Sequence, residues 1–286
     1  MPTQPTAPAV DLAADLRAYT PADQSVAVWW LGQSGFIFKS ANSALIVVDP
    51  YLTNSIAEGD PTSIWQRCFA PPVRPDLITK ASAVLCTHEH ADHFDPASIQ
   101  PILASSPRAV LVIPQWIAGD ALRAGVETNR LRTTRGEGDS ISLPEGVQIT
   151  AFPAAHYELE YDSQHGHRWQ GFLIELAGIR IYHSGDTINY PYLVPQLRAL
   201  NLDILIVPVN GRDAARDQQG IVGNLWPDEA VELTAAVGAQ LVIPCHWDMF
   251  AVNSLPPGDF ANAIATTHPY QPFKIMAQAE RFVYTR

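Results

Sequence analysis

Apolar residues run along this chain in short, strand-length blocks, each closed by a turn-forming cluster. Ser25 to Leu31, Gly35 to Lys39 and Ala44 to Asp49 are β-rich and are separated by Gly-Gln-Ser-Gly and Ser-Ala-Asn-Ser, which predicts a meander. The pattern then changes to an apolar strand from Ala81 to Cys86, a helix from Pro96 to Ala104, a strand from Ala109 to Ile113 and an amphipathic helix from Gln115 that stops at Gly125. The second half repeats the plan. Val147 to Phe152, Gly171 to Leu176 and Arg180 to His183 read as strands, followed by a helix from Val194 to Leu200 and a strand from Asp203 to Pro208. A helix from Asp228 to Val237 and a strand from Gln240 to Pro244 complete it. A meander passing into strand and helix alternation, twice over, predicts an α/β protein with two sheets face to face and helices outside. No linker, repeat or low-complexity block divides the chain, so residues 1–286 read as one domain with residues 1–20 as a Pro-rich, peripheral lead-in.

Composition narrows what such a fold is for. Eighteen Lys and Arg against 29 Asp and Glu give a net charge of -11, and an acidic surface repels nucleic-acid phosphates, so nucleic acid is not an expected partner. The longest apolar stretches, such as Ala44 to Val48 and Ile204 to Val209, fall short of the roughly 18 residues that cross a bilayer, so no membrane partner is expected. The N-terminal sequence lacks a basic start followed by an apolar core, and the expected location is the cytoplasm. Three cysteines without CxxC spacing argue against a disulfide framework and a thiolate zinc site. Histidine and carboxylate remain as ligands for any metal.

Those ligands are concentrated in one place. Thr87-His88-Glu89-His90-Ala91-Asp92-His93 directly follows the strand Ala81 to Cys86, where a loop leaving a strand end turns successive side chains inward. Neutral imidazole with carboxylate suits zinc, manganese or iron, whereas the bland alternative is a solvated, polar helix start. Three further candidates each follow a predicted strand: His156 after Phe152-Pro-Ala-Ala, Asp186 in His183-Ser-Gly-Asp-Thr, and His246 in Ile243-Pro-Cys-His-Trp. Together these donors exceed the need of one tetrahedral ion and match two ions sharing a carboxylate and a water.

In this order Asp49, His88 to His93, His156, Asp186 and His246 resemble the motifs of the metallo-β-lactamase superfamily, over nearly the whole chain. The resemblance implies an αββα four-layer sandwich of two similar halves, in agreement with the predicted element order. It also implies two divalent ions, Mn2+ or Zn2+, with His88, His90 and His156 on the first, Asp92, His93 and His246 on the second, and Asp186 bridging them. Asp49 would then support the histidine loop from behind. The implied activity is hydrolysis by a metal-bridging hydroxide, with Asp92 as the candidate catalytic acid or base. Trp30-Leu-Gly-Gln-Ser-Gly-Phe36, Tyr182-His-Ser-Gly-Asp-Thr187, Pro208-Val-Asn-Gly-Arg-Asp213, Gly223-Asn-Leu and Ile243-Pro-Cys-His-Trp-Asp248 further resemble the L-ascorbate 6-phosphate lactonase group. That group comprises cytoplasmic, manganese-associated lactone hydrolases, and the resemblance implies a phosphorylated sugar-acid lactone or similar substrate.

For such an anionic small molecule, Arg212 on the loop after the strand Asp203 to Pro208 is a candidate phosphate or carboxylate ligand, with Asn210 and Asn224 beside it. A surface pair with Asp213 or Asp217 is an equal alternative for Arg212. Gln33 and Ser34 either face the metals or simply close a hairpin, and Tyr157 and Tyr190 are candidate proton donors. His165, His167, His183 and His268 read as loop, neighbouring or surface histidines. Cys86 and Cys245 read as small buried side chains, and most of the seven Trp as core. Two other functions keep the same features: a phosphodiesterase or phospholipase-like hydrolase on the same dinuclear site, and a non-catalytic binding protein, which would be expected to have lost ligands. Homo-oligomerisation is left open.

Overall fold

The computed structural model describes residues 11–286, so the first part of the expected lead-in lies outside the described residues. From Asp11 onward the lead-in is a docked helix. In α1 (Leu12–Ala18) the Asp11 carboxylate caps the Ala14 N–H. Leu12, Ala13 and Leu16 are buried in the same core as Ala27 and Trp29. Lys39 Nζ donates to Leu16 O and Tyr19 O at 2.7 and 2.6 Å, holding the carbonyl end of the helix to the sheet. One short apolar stripe inside a Pro-rich segment is too little for periodicity to reveal.

The first sheet begins as the predicted antiparallel meander of β1 (Ser25–Gly32), β2 (Gly35–Ser40) and β3 (Leu45–Val48). It continues in parallel through β4 (Ala83–Leu85), with α2 (Pro96–Ser105) leading to β5 (Val110–Pro114) and α3 (Ala118–Arg123) leading to β6 (Leu131–Thr134). The helix expected from Gln115 starts instead as a 3-10 turn over Gln115–Ile117.

The second sheet repeats this plan. β7 (Ser140–Ser142) and β8 (Gln148–Pro153) come first, then a separate ribbon of β9 (Tyr161–Asp162) and β10 (Gly166–His167). β11 (Gln170–Leu176) and β12 (Ile179–His183) complete the antiparallel part. Then α4 (Leu193–Ala199) crosses to β13 (Ile204–Pro208), and α5 (Ala214–Asp217) with α6 (Pro227–Val237) crosses to β14 (Leu241–Cys245), both parallel. After α7 (Pro257–Thr267), β15 (Arg281–Thr285) returns to the first sheet and pairs antiparallel with β1. The halves are therefore similar in plan, but the C-terminal strand belongs to the first sheet.

Alternation along the strands builds the layers, because successive side chains point to opposite faces. Val26, Val28 and Trp30 of β1 meet Ile149, Phe172, Ile181 and Ile204 between the sheets. Their neighbours Ala27, Trp29 and Leu31 pack with Ile99, Ile102 and Ala121 from α2 and α3. On the far side, Leu205, Val207 and Val242 pack under Leu197, Val231 and Phe260 from α4, α6 and α7. Both faces of each sheet are covered, which is the αββα four-layer sandwich the element order predicts. No helix among the described residues is long and apolar enough to cross a membrane.

The docking of α1 can be measured. Leu16→Ala should lower unfolding free energy by about 2–4 kcal/mol, read as a lower urea midpoint. Leu122→Ala, on the exposed side of α3, should change it by no more than about 0.5 kcal/mol. Equal small effects would mean that α1 is not part of the cooperative core.

Candidate metal centre

Each candidate donor follows the carboxyl end of a strand. Asp49 follows β3, and its fully buried carboxylate reaches the loop after β4. Oδ1 accepts from the Thr87 N–H and Oδ2 from the Thr87 hydroxyl, both at 2.8 Å, and Oδ2 also lies 2.8 Å from His93 Nδ1. With its hydrogen committed to Asp49, the Thr87 oxygen accepts from His88 Nδ1 at 3.0 Å. Both rings therefore carry a proton on Nδ1 and turn Nε2 inward, the orientation that a partner on the far nitrogen imposes on metal-binding imidazoles. The same edge holds backbone strain. Gln33, Asp49 and His246 have φ of 54°, 44° and 60°, a left-handed conformation that costs a non-glycine residue about 1–3 kcal/mol.

The structure brings together all seven sequence-predicted donors. Single ligand atoms of His88, His90, His156 and Asp186 lie within 4.8 Å of one another, and so do those of Asp92, His93 and His246. Asp186 stands between the groups, with carboxylate oxygens 3.8 Å from His156 Nε2 and 3.3 Å from both His93 Nε2 and His246 Nε2. Asp92 Oδ2 is 3.7 Å from His93 Nε2 and 3.6 Å from His246 Nε2. His93 Nε2, both nitrogens of His156, Asp186 Oδ1 and His246 Nδ1 are buried without a hydrogen-bond partner. His88 Nε2 faces His90 Nδ1 at 3.0 Å. Buried lone pairs facing one another are costly. Divalent cations among them remove that cost, and imidazole with carboxylate is a donor set such ions accept. The residues present fit a metal centre.

Without ions the histidines separate electrostatically. Burial pushes His156 down to about 4 and His88 well below the usual imidazole range, leaving both neutral. Burial opposes charge on His93 as well, but Asp186, Asp92 and Asp49 outweigh it and raise His93 to about 10. Burial likewise disfavours the Asp186 carboxylate, yet His246 and His93 hold it well below the ordinary range.

Other side chains sort themselves around this centre. Gln33 closes the β1–β2 hairpin and also faces the donors, its Nε2 donating to Asp92 Oδ2 at 2.7 Å and lying 3.0 Å from His246 Nε2. Glu89 turns away to pair with Arg168. His183 Nδ1 accepts from the Gly185 N–H, so its Nε2–H donates to Ser34 O at 2.8 Å, fixing the turn before Asp186 to the hairpin. Trp169 packs 5.0–5.3 Å from the rings of His88, His90 and His156. No spacing in the sequence marks it.

The three residues expected on the substrate side are engaged by the protein itself. Arg212 is engaged by Glu229 at 2.5 and 2.7 Å and by Asn224 O at 2.9 Å, tying its loop to the start of α6. Asn210 is fully buried and bonded to Asn253 and Asn224. The expected proton donors are also committed, Tyr157 to Asp217 at 2.6 Å and Tyr190 to Pro153 O at 2.7 Å.

A divalent-metal donor set at the strand ends of an αββα sandwich defines a class, and the sequence places the chain within it. The model of the beta-lactamase superfamily domain matches residues 45–247, well over half of the chain. The chain belongs to the metallo-β-lactamase superfamily. It is 28% identical over 241 residues to a metal-dependent hydrolase of Methanoculleus marisnigri, covering 83% of this chain and 88% of that one. Among solved structures, a metallo hydrolase from Ignicoccus hospitalis superposes with a TM-score of 0.68 at 18% identity, covering 92% of this chain and 99% of that one. An isothiocyanate hydrolase from Delia radicum gut bacteria superposes with a TM-score of 0.70 at 17% identity, covering 91% and 100%. Both likenesses are likenesses of fold.

Two measurements bear on the centre itself. Asp49→Asn puts an amide where three donors now find acceptors, and should weaken metal binding about 10–100-fold in chelator competition; unchanged affinity would detach Asp49 from the site. His93, raised to about 10, is protonated near neutral pH in the ion-free protein. Its contribution to stability is therefore fully present below the unfolded value of 6.5 and is lost as pH rises through about 10. Metal binding at pH 7 should accordingly release a proton, seen as a calorimetric heat that depends on the ionisation enthalpy of the buffer. A heat independent of the buffer would contradict that charge state.

Proposed function

We propose that this protein is a metal-dependent hydrolase that opens a lactone or similarly activated ester of a small-molecule substrate, using two divalent ions, Mn2+ or Zn2+. The reading is carried by two adjacent donor groups beside an open cavity, with Asp186 of the first group 3.3 Å from His93 and His246 of the second. His88, His90 and His156 would hold one ion, Asp92, His93 and His246 the other, with Asp186 common to both. Ions held there supply Lewis-acid polarisation of the scissile carbonyl and make water acidic enough to serve as a nucleophile near neutral pH.

The chain's own residues do the rest. Asp92 lines the cavity, and with Oδ2 committed to Gln33 it offers Oδ1 to orient water and take its proton. Gln33 keeps that carboxylate in one orientation. Asp49 and Thr87 hold the histidine loop, so that the donors need no rearrangement. Arg212 is no part of this reading, because Glu229 already neutralises it; a phosphate on the substrate is not required. A phosphodiesterase reading lacks support from the cavity wall, since among the described residues no Lys or Arg lines it to receive the non-bridging oxygens.

Protein stripped with chelator and reloaded with Mn2+ or Zn2+ should open members of a lactone panel in a pH-stat assay and leave bis-p-nitrophenyl phosphate essentially untouched. Asp92→Asn should reduce kcat by about 10²–10⁴-fold, and Asp186→Ala should lower both metal occupancies together. Faster cleavage of the phosphodiester, or no turnover of any lactone or ester by the reloaded protein, would overturn the assignment.

A further inference from the structure

We infer that the cavity beside the donors takes a neutral substrate with an apolar substituent, seated against Trp65 and Phe250, with a hydrogen-bond acceptor of the substrate on Asn253 Nδ2. This deepens the hydrolase reading and rests on it for the scissile bond. The cavity is small, about 220 Å³, below the roughly 300–1,000 Å³ usual for ligand pockets. One side of it is formed by the donors. The other is apolar, built from Ile56, Trp65, Val222 and Phe250.

That apolar wall is fixed in place. Trp65 stands edge-on to Phe250 at 5.4 Å and 89°, and Phe250 packs on Tyr51 at 6.0 Å. Arg67 clamps the segment that carries Tyr51 and Trp65. Its Nη1 donates to Tyr51 O and Thr53 O at 2.8 and 3.2 Å, its Nε donates to Phe69 O at 3.1 Å, and its guanidinium lies 4.9 Å from the Tyr51 ring. The connection from β3 to β4 is long, residues 49–82, and loops of that size inside a compact domain are usually functional.

No Lys or Arg among the described residues lines the cavity. Arg212 is paired with Glu229 and Arg168 with Glu89 and Glu160, while Arg67, whose Nη2 has no hydrogen-bond partner, lies against the Tyr51 and Phe69 rings rather than on the wall. An anionic substituent would find no cationic side chain on the wall to offset its lost hydration. An apolar one is driven in.

Besides the Trp65 indole N–H, one polar side chain, Asn253, remains on the wall outside the donors, and its orientation follows from a donor that cannot accept. Arg216 Nη1 lies 3.1 Å from the Asn253 amide, so the facing atom is Oδ1. That oxygen also accepts from Asn210 Nδ2 at 2.8 Å, while Asn210 Oδ1 accepts from Asn224 Nδ2 at 3.0 Å. The relay leaves Asn253 Nδ2 without a partner among the described residues, on a residue that lines the cavity. A donor so placed discriminates for a ligand that brings an acceptor.

The test uses the metal-loaded, full-length protein and 5-hexyl-2-pyrrolidinone, an unstrained lactam that keeps the ring, carbonyl and tail of a γ-lactone but resists hydrolysis. By calorimetry it should bind at least about tenfold more tightly than unsubstituted 2-pyrrolidinone. Trp65→Ala should erase most of that difference with metal content unchanged, and Asn253→Ala should weaken both lactams alike, by about 5–10-fold. In turnover, γ-decalactone should exceed 6-phosphogluconolactone by at least about tenfold in kcat/KM. Equal binding of the two lactams by the unmutated protein, or preference for the phosphorylated lactone, would overturn the inference while leaving the hydrolase reading intact. Tail-dependent binding with no lactone opened would uphold the inference and remove the hydrolase reading.

Discussion

Imidazole and carboxylate lone pairs crowded into a buried space repel one another unless cations stand among them, and this chain directs seven such donors into one pocket. The arrangement persists because it is over-determined from outside. Asp49 takes the Thr87 N–H, the Thr87 hydroxyl and the His93 ring, and Thr87 in turn takes His88, so ring orientation is set before any ion arrives. Local strain at Gln33, Asp49 and His246 is held by the same packing that covers both sheets.

The sandwich supplies stiffness, and the loops supply chemistry and selection. Donors leave the carboxyl ends of β4, β8, β12 and β14, whose strands are paired and buried, so their positions shift little relative to one another. Part of the cavity wall comes from the segment that follows His246, and part from the β3–β4 connection. Ile56 and Trp65 thereby lie on a piece of chain that carries none of the seven donors and can vary without displacing them.

What the sequence discloses tracks the distance over which each signal acts. The layered fold and the seven donors are legible, because strand alternation and a dense His and Asp run are local patterns, whereas Asp49 comes only with the family resemblance. On local grounds Arg212 suits a substrate anion and a pair with Asp213 or Asp217 equally well. Its actual partner is Glu229 at the start of α6, a pairing only the fold creates. Gln33 shows as a polar break in an apolar hairpin, but its contact with Asp92 spans 59 positions. Asn253 and Trp65 carry no local mark at all. The strands β6, β7 and β15 leave no mark in the sequence, because only Thr134 among their residues is fully buried.

The most direct measurement is anomalous X-ray diffraction from crystals of the protein loaded with Mn2+. Two peaks about 3.5–4 Å apart, each within coordinating distance of the Asp186 carboxylate, are the result this account predicts. A single peak, or ions bound away from Asp186, would contradict it.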